Sequence, residues 1–276
     1  MGYLSPTRPR RPILRYHGGK WLLAEWIISN FPPHRVYVEP FGGAASVLLQ
    51  KRRTYAEIYN DLDGEVVNLF RVVRDDGLRL RQMLELTPFA RDEFKLSYET
   101  SDDPIEQARR TVVRSFMGFG SNSHNKLTGF RSNSNRSGTT PAHDWRNYPD
   151  CLSAIIDRLR GVCVENRNAF EVIQAHDGPQ TLHYVDPPYV SETRDKGNDY
   201  RHEMTSGDQR QLAEILYSVK GMVVLSGYAC DLYDRELYPN WRRIQRQSFA
   251  DGARERTEVL WLNDAAVKFQ PQQKMF

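Results

Sequence analysis

Residues Thr181-Leu182-His183-Tyr184-Val185 make an apolar, β-prone run that stops abruptly at Asp186-Pro187-Pro188-Tyr189. A strand of this kind, without polar alternation, belongs in the interior of a parallel sheet. Neither proline can donate to a β-ladder, so the strand must end there. In open α/β sheets ligands bind just beyond the carboxyl ends of the strands. Asp186 and Tyr189 therefore stand where chemistry is usually done, on a stiff turn. A carboxylate accepts hydrogen bonds, the prolyl carbonyls of Pro187 and Pro188 accept them without a competing N–H, and a tyrosine offers a flat face. Such a set suits a planar ring carrying an exocyclic amino group. An ordinary strand end closed by a Pro-Pro turn has the same letters, and a short motif alone does not separate the two.

Earlier in the chain, Val36-Tyr37-Val38-Glu39-Pro40-Phe41-Gly42-Gly43 followed by Ala44 to Leu49 reads as strand, glycine turn and helix. That is the opening of a nucleotide-binding βαβ unit, with glycines that let backbone approach a ligand at a helix start. It lacks the third glycine of the dinucleotide fingerprint, and Glu39 precedes the turn. The next strand, Thr54 to Tyr59, ends at Asn60-Asp61. Asp61 lies 18 residues past Gly43, close to the ~20 at which an acid grips ribose hydroxyls in such units. Before the first strand, Tyr16-His17-Gly18-Gly19-Lys20 places a lysine at the start of a helix over Trp21 to Asn30. There Lys20 is available to an anionic group such as a carboxylate. After Val162–Glu165, a short strand, Asn168 either caps the helix Phe170 to Ala175 or lines a ligand pocket with Phe170.

Helical spacing returns over Glu65 to Arg74, over Leu78 to Arg114 with breaks near Pro88 and Asp102-Asp103-Pro104, and over Cys151 to Arg160. Between Gly118 and Pro141 periodicity disappears into Gly, Asn, Ser, Arg and His. From Gln107 to Pro149 there are seven Lys or Arg against one acid, a local +6 in a chain whose net charge is +3. A polar, basic segment of this kind neutralises phosphates and offers hydrogen bonds to base edges; a solvated, charge-biased loop is the plainer alternative. The domain division expected is a catalytic part, 1–74 and 161–276, interrupted by an inserted, mostly helical target-recognition part, 75–160. The last elements are a helix from Ser206, a strand Met222 to Leu225, a short helix Asp231 to Leu237, and an antiparallel pair, Trp241 to Ser248 and Thr257 to Asn263.

With 276 residues and 39% hydrophobic content the chain can bury a large core. No apolar run approaches the ~18 residues of a membrane span. The basic, proline-rich stretch Met1 to Arg15 does not read as a secretory signal. Cys151, Cys163 and Cys230 are odd in number and widely spaced, which fits reduced cytoplasmic thiols better than a disulfide frame or a zinc site. No His/Cys cluster calls for a metal.

Taken in order, Tyr-x-Gly-Gly-Lys, Glu-Pro-Phe-x-Gly, the acid Asp61, the basic insertion and Asp-Pro-Pro-Tyr after a strand resemble the Dam-like, D12-class adenine-specific DNA methyltransferases, from about Tyr16 to Asn263. The resemblance implies a class I, S-adenosylmethionine-dependent methyltransferase fold, Rossmann-like, α/β, with a mostly parallel sheet, an antiparallel edge strand and a target-recognition insertion. It implies cofactor contacts at Tyr16, Lys20, Asp61 and Asp186, with Glu39, Pro40, Phe41 and Gly43 of the second motif bordering the methionine part; Asn168 and Phe170 are candidates beside them. It implies methyl transfer to the N6 amino group of an adenine flipped out of DNA, with Asp186, Pro187, Pro188 and Tyr189 doing the chemistry and no metal. Leu127 to Asn133 looks like the family's DNA-reading hairpin, Arg131 matching an arginine that contacts bases; Phe130, Asn133 and Arg136 lie with it. Arg109, Arg110, Arg114 and Lys126 are expected on phosphates. Two positions depart from the family: tryptophan is usual where Tyr16 stands, and a second glycine where Ala45 stands. The expected setting is cytoplasmic, bacterial or phage-encoded, with DNA as partner and no obligate protein partner. The competing readings are an N4-cytosine or RNA-base methyltransferase and a non-catalytic DNA-binding protein on the same fold.

Overall fold

The structure, a computed structural model, describes residues 8–121, 123, 126–133, 138–190, 201–250 and 254–268. Strands β1 (Val36–Glu39), β2 (Ala56–Asn60), β3 (Val162–Glu165), β4 (Thr181–Val185), β5 (Met222–Tyr228), β6 (Arg242–Ala250) and β7 (Arg254–Leu262) lie in one sheet in the order β3-β2-β1-β4-β5-β7-β6. β1 runs parallel to β2 and β4, and β4 to β5, whereas β7 is antiparallel to both β5 and β6. This is the mixed α/β sheet expected from sequence, mostly parallel with an antiparallel edge. Every residue of β4 is buried, as its unbroken apolar pattern requires. The strand order reverses between β1 and β4, and a ligand crevice opens at such a reversal, at the carboxyl ends of the strands.

Nine helices accompany the strands among the described residues: α1 (Ala24–Ser29), α2 (Gly64–Leu86), α3 (Arg91–Leu96), α4 (Pro104–Met117), α5 (Pro141–Arg146), α6 (Pro149–Leu159), α7 (Ala169–Ala175), α8 (Ser206–Ser218) and α9 (Asp264–Lys268). Their starts follow ordinary capping chemistry. The Asp103 carboxylate accepts from the Ile105 N–H with Pro104 in the first turn of α4, and Thr205 and Asp208 form a reciprocal capping box on α8.

Compactness divides the chain into two units. One comprises Met1–Trp21, Gly43–Gln50 and Asp63–Val164; the other comprises Leu22–Gly42, Lys51–Leu62 and Glu165–Phe276. In the first, α2 packs on α4 and α6. Gly77 of α2 admits Ile156 of α6 so closely that a Cβ there would stand 2.6 Å from its Cγ1. In the second, Val185, Leu225, Val259 and Trp261 of the sheet pack with Leu212 and Leu216 of α8 and with Tyr233, Tyr238 and Trp241.

Four local expectations change. α2 runs on past Arg74 for 23 residues in all, bending at Asp76, where φ is −141°. The helix expected over Ala44 to Leu49 is a set of turns, with Leu49 N–H bonded to the Ala45 carbonyl at 2.9 Å and Gln50 N–H to the Val47 carbonyl at 3.1 Å. Gly43 and Ala45 both have positive φ, +46° and +51°, which a right-handed helix excludes, and the few residues left are too short to nucleate one. The expected helix Asp231 to Leu237 is a widened turn over Leu232–Leu237, closed by Tyr238 N–H to the Tyr233 carbonyl at 2.9 Å. β5 extends beyond Leu225 because β7 supplies a partner as far as Tyr228, opposite Glu258.

Candidate active site

The parallel strands of the second unit deliver the sequence motifs to one edge of the sheet. β1 ends in Glu39, followed by Pro40 and Phe41; β2 ends in Asn60, followed by Asp61; β4 ends in Val185, followed by Asp186. The registers Glu39↔Tyr59 and Val185↔Leu225 set these ends side by side at the carboxyl edge. Glu39 is 2% exposed, and its Oε2 accepts the Tyr37 hydroxyl at 2.7 Å. Burial, then Glu39, pushes the Tyr37 phenol well up, so it remains a donor. Phe41 and Phe170 are half-buried against the same hydrophobic core. Asp61 is half-buried, its backbone carbonyl accepting from Asn166 Nδ2 at 2.8 Å. Asn168 caps α7, its Oδ1 accepting the Phe170 N–H at 2.8 Å; of its two sequence readings, the capping one is the contact present.

The Asp-Pro-Pro-Tyr turn is held from three elements. The Ser226 hydroxyl of β5 donates to Asp186 Oδ1 at 2.8 Å, with the Tyr184 hydroxyl 3.1 Å from Ser226 Oγ. Gln209 Nε2 of α8 donates to the Pro188 carbonyl at 2.8 Å, while its Oε1 accepts the Tyr233 hydroxyl at 2.6 Å. The Tyr189 hydroxyl donates to Glu258 Oε1 of β7 at 2.5 Å. Tyr189 is buried, its ring edge-on to Tyr228 at 4.7 Å. Burial raises its phenol well above the ordinary range, with Asp186 and Glu258 adding to the effect.

Gly18, Gly19 and Gly43 lie in the first unit. Gly43 has no room for a side chain: a Cβ would stand 2.8 Å from Tyr16 Cε1, at a backbone angle that already favours glycine. The Tyr16 ring thus packs against bare backbone at Gly43. Lys20 is buried, with Nζ donating to the Gly18 carbonyl at 3.0 Å.

The basic segment separates into two kinds of residue. Arg109 donates to both oxygens of Glu106, at 2.7 and 2.8 Å, and to Glu93 Oε2 at 2.7 Å. Arg110 donates to Glu106 Oε1 at 2.7 Å and to the carbonyls of Glu99 and Thr100. Arg114 pairs with Glu65. All three guanidinium groups are thus engaged by carboxylates inside the helical unit. The local +6 counts segment 107–149 without Glu65, Glu93 and Glu106, its partners in space.

The tip behaves differently. Gly118 pairs with Phe130, Arg131 N–H donates to the Met117 carbonyl at 2.8 Å, and Phe119 N–H to the Gly129 carbonyl at 2.8 Å, so Leu127–Asn133 folds back along the end of α4. Arg131 Nη1 donates to the Phe116 carbonyl at 3.0 Å. Phe130, half-buried, packs on Phe89 and Phe94 under the Arg91 guanidinium. Lys126 and Asn133 are exposed. Arg136 lies outside the described residues.

Sequence reading passed over Asn60, Gln209, Ser226 and Glu258. Asn60 is fully buried; its Nδ2 donates to the carbonyls of Pro40 and Arg167, and its Oδ1 accepts the Arg167 N–H. It thereby fastens the turn after β1 to the segment after β3. Its signal was a polar residue closing an apolar strand. Glu258 had a comparable one, an acid in the apolar run Val259-Leu260-Trp261-Leu262.

The strand order and the motifs at its carboxyl edge define a class I methyltransferase. A family model for the D12 class N6 adenine-specific DNA methyltransferases matches residues 16–247, and the chain belongs to that family. It is 26% identical over 250 residues to a DNA adenine methylase of Serratia marcescens, covering 85% of this chain and 87% of that one. It is 25% identical over 279 residues to a DNA adenine methylase of Haemophilus influenzae, covering 93% of each. The protein is therefore an adenine-specific DNA methyltransferase that methylates adenine N6, and methyltransferases of this fold class draw on S-adenosylmethionine. Ala45, where the family usually has glycine, keeps the left-handed backbone that glycine would adopt, at a cost of about 1–2 kcal/mol. Among the described residues no helix is long and apolar enough to cross a membrane.

Proposed function

We propose that Asp186, Pro187, Pro188 and Tyr189 carry the transfer to an adenine flipped out of the duplex. The observation that carries this reading is the anchored Asp186, at the carboxyl end of β4 with Oδ1 held by Ser226. The N6 lone pair is delocalised into the ring and is a poor nucleophile. Asp186 and the Pro187 carbonyl accept the two amino hydrogens, which localises the lone pair on nitrogen and fixes the direction of attack. Tyr189 bounds the base. When bound, S-adenosylmethionine supplies an electrophilic methyl group on its sulfonium. The residues assigned to it are Tyr16, Lys20 and Gly43 in one unit, and Glu39, Pro40, Phe41, Asp61, Asn168, Phe170 and Asp186 in the other. Segment 75–160 is assigned target recognition, with Lys126 on phosphate and Arg131 and Asn133 reading bases. A bidentate arginine–guanine contact supplies about 1–3 kcal/mol of discrimination, and flipping costs a few kcal/mol. A cytoplasmic setting beside bacterial DNA, with no obligate protein partner, completes the proposal; the two bacterial relatives support the setting.

The test incubates the protein with unmethylated DNA and S-adenosylmethionine and analyses the nucleosides by mass spectrometry. N6-methyladenine from the wild type and none from Asp186→Ala is the expected result. Wild-type turnover in Asp186→Ala would overturn the assigned chemistry.

A further inference from the structure

We propose that Ser226 and Glu258 are positioning residues for methyl transfer: Ser226 aims the Asp186 carboxylate, and Glu258 aims the Tyr189 ring. The inference rests on the function proposed for that turn and adds two residues from β5 and β7, outside the motif.

The first half follows from counting hydrogens. Tyr184 and Ser226 are 1% and 0% exposed, so neither hydroxyl can turn to water. Each has one hydrogen. Burial, and after it Asp186, pushes the Tyr184 phenol well up, so it stays protonated. Asp186 Oδ1 is the strongest acceptor within reach of Ser226 Oγ, at 2.8 Å against 3.5 Å to the Val185 carbonyl. The consistent assignment is Tyr184 O–H to Ser226 Oγ and Ser226 O–H to Asp186 Oδ1. One carboxylate oxygen is thereby tied to a dry, fully assigned chain, and the plane of the carboxylate is set from behind. Transfer to an amino group depends on that plane, since a misplacement of ~1 Å in a reacting group costs on the order of 100-fold.

The second half follows from what a buried carboxylate costs. Glu258 is 2% exposed, in a strand whose following residues are all apolar. An unpaired charge there would cost several kcal/mol, so a carboxylate persists only where specific donors compensate it. The Tyr189 hydroxyl donates to Glu258 at 2.5 Å. A fixed bond at the hydroxyl sets the direction of the ring axis; the hydroxyl lies on that axis, so the turn of the ring about it is set by packing against Tyr228. Tyr228, opposite Glu258 in the ladder, closes the other side edge-on at 4.7 Å. Gln209, fully buried, secures the Pro188 carbonyl between these two anchors. The turn is rigid through its neighbours as well as through its prolines.

The test measures single-turnover methyl transfer, the KM for S-adenosylmethionine and DNA affinity for wild type, Ser226→Ala, Ser226→Thr, Glu258→Gln, Tyr189→Phe and the last two combined. Circular-dichroism melts first establish that each variant folds; should Ser226→Ala not fold, Tyr184→Phe, which removes the donor to Ser226, replaces it. Ser226→Ala and Tyr189→Phe should each slow transfer by about 10- to 100-fold, with KM and DNA affinity within about threefold; Glu258→Gln, which keeps an acceptor oxygen for the Tyr189 hydroxyl, should slow it less than Tyr189→Phe. Ser226→Thr should recover most of the rate. Tyr189→Phe with Glu258→Gln should be no slower than the slower single variant, because both act through one bond. Folded variants with the wild-type transfer rate, or losses confined to KM, would overturn the inference. The wild-type arm separates this from failure of the underlying reading: a wild type making no N6-methyladenine defeats the proposed chemistry, and the positioning roles with it.

Discussion

Replacing Arg109 with alanine decides between two roles for the basic segment. A phosphate contact and an internal brace both involve a positive charge, but they fail differently. Arg109 is only 8% exposed and makes three bonds of 2.7–2.8 Å to Glu106 and Glu93. Its hydrogen bonds with Glu106 raise the guanidinium pKa further and lower that of the Glu106 carboxyl, so the pair remains charged. Removing it leaves Glu106 with Arg110 but takes the guanidinium away from Glu93. Breaking a buried pair costs about 3–5 kcal/mol, against at most about 1 for an exposed one. The Glu106 and Glu93 side chains are 19% and 27% exposed, so water reaches them once the arginine is gone, and the lower figure, about 3 kcal/mol, applies. For a chain of this size that lowers Tm by roughly 6–12 °C. Denaturant unfolding with an unchanged slope measures the loss. DNA binding by the folded variant across a salt series should keep the wild-type slope. A salt slope shallower by about 0.9, the signature of one lost phosphate contact, together with near-wild-type stability, would refute this account.

Lys126→Ala should do the reverse, reducing the salt slope by about 0.9 while changing stability by less than about 0.5 kcal/mol; an unchanged slope would remove Lys126 from the interface. Gly43→Ala puts a methyl 2.8 Å from the Tyr16 ring at positive φ. About 1–2 kcal/mol of backbone strain and a displaced ring should raise the KM for S-adenosylmethionine about tenfold, and an unchanged KM would dissociate that turn from the methyl donor. His183 is held below its ordinary pKa by burial, Asp177 opposing, and its Nδ1 has no partner among the described residues. An unfolded histidine protonates near 6.5, so below that pH the unfolded chain binds more protons and stability falls. Melting curves from pH 8 to 5 should show this decline, and His183→Gln should flatten it; equal slopes would count against the assignment.

Sequence alone determined the sheet, its central strand and the edge at which the motifs meet. These are local properties: β4 is apolar throughout, Pro187 and Pro188 must stop it, and Gly43 requires an unusual backbone. Their consequences survive any packing around them. The spatial pairing of charge was only partly local. Glu106, one residue before segment 107–149, pairs with Arg109 and Arg110 along α4 itself, but Glu65 and Glu93 reach Arg114 and Arg109 only because α2 and α3 pack on α4. Part of a basic run in sequence thus became neutralised in space. Ser226 and Glu258 were invisible for the same reason: each is far along the chain from the turn it holds, at separations of 40 and 69 residues. The sequence determined which residues carry reactive chemistry, because residue type and strand ends decide that. Tertiary structure decided which residues hold them still, because a hydrogen bond across a sheet depends on strand order and register, and neither is written in any one strand.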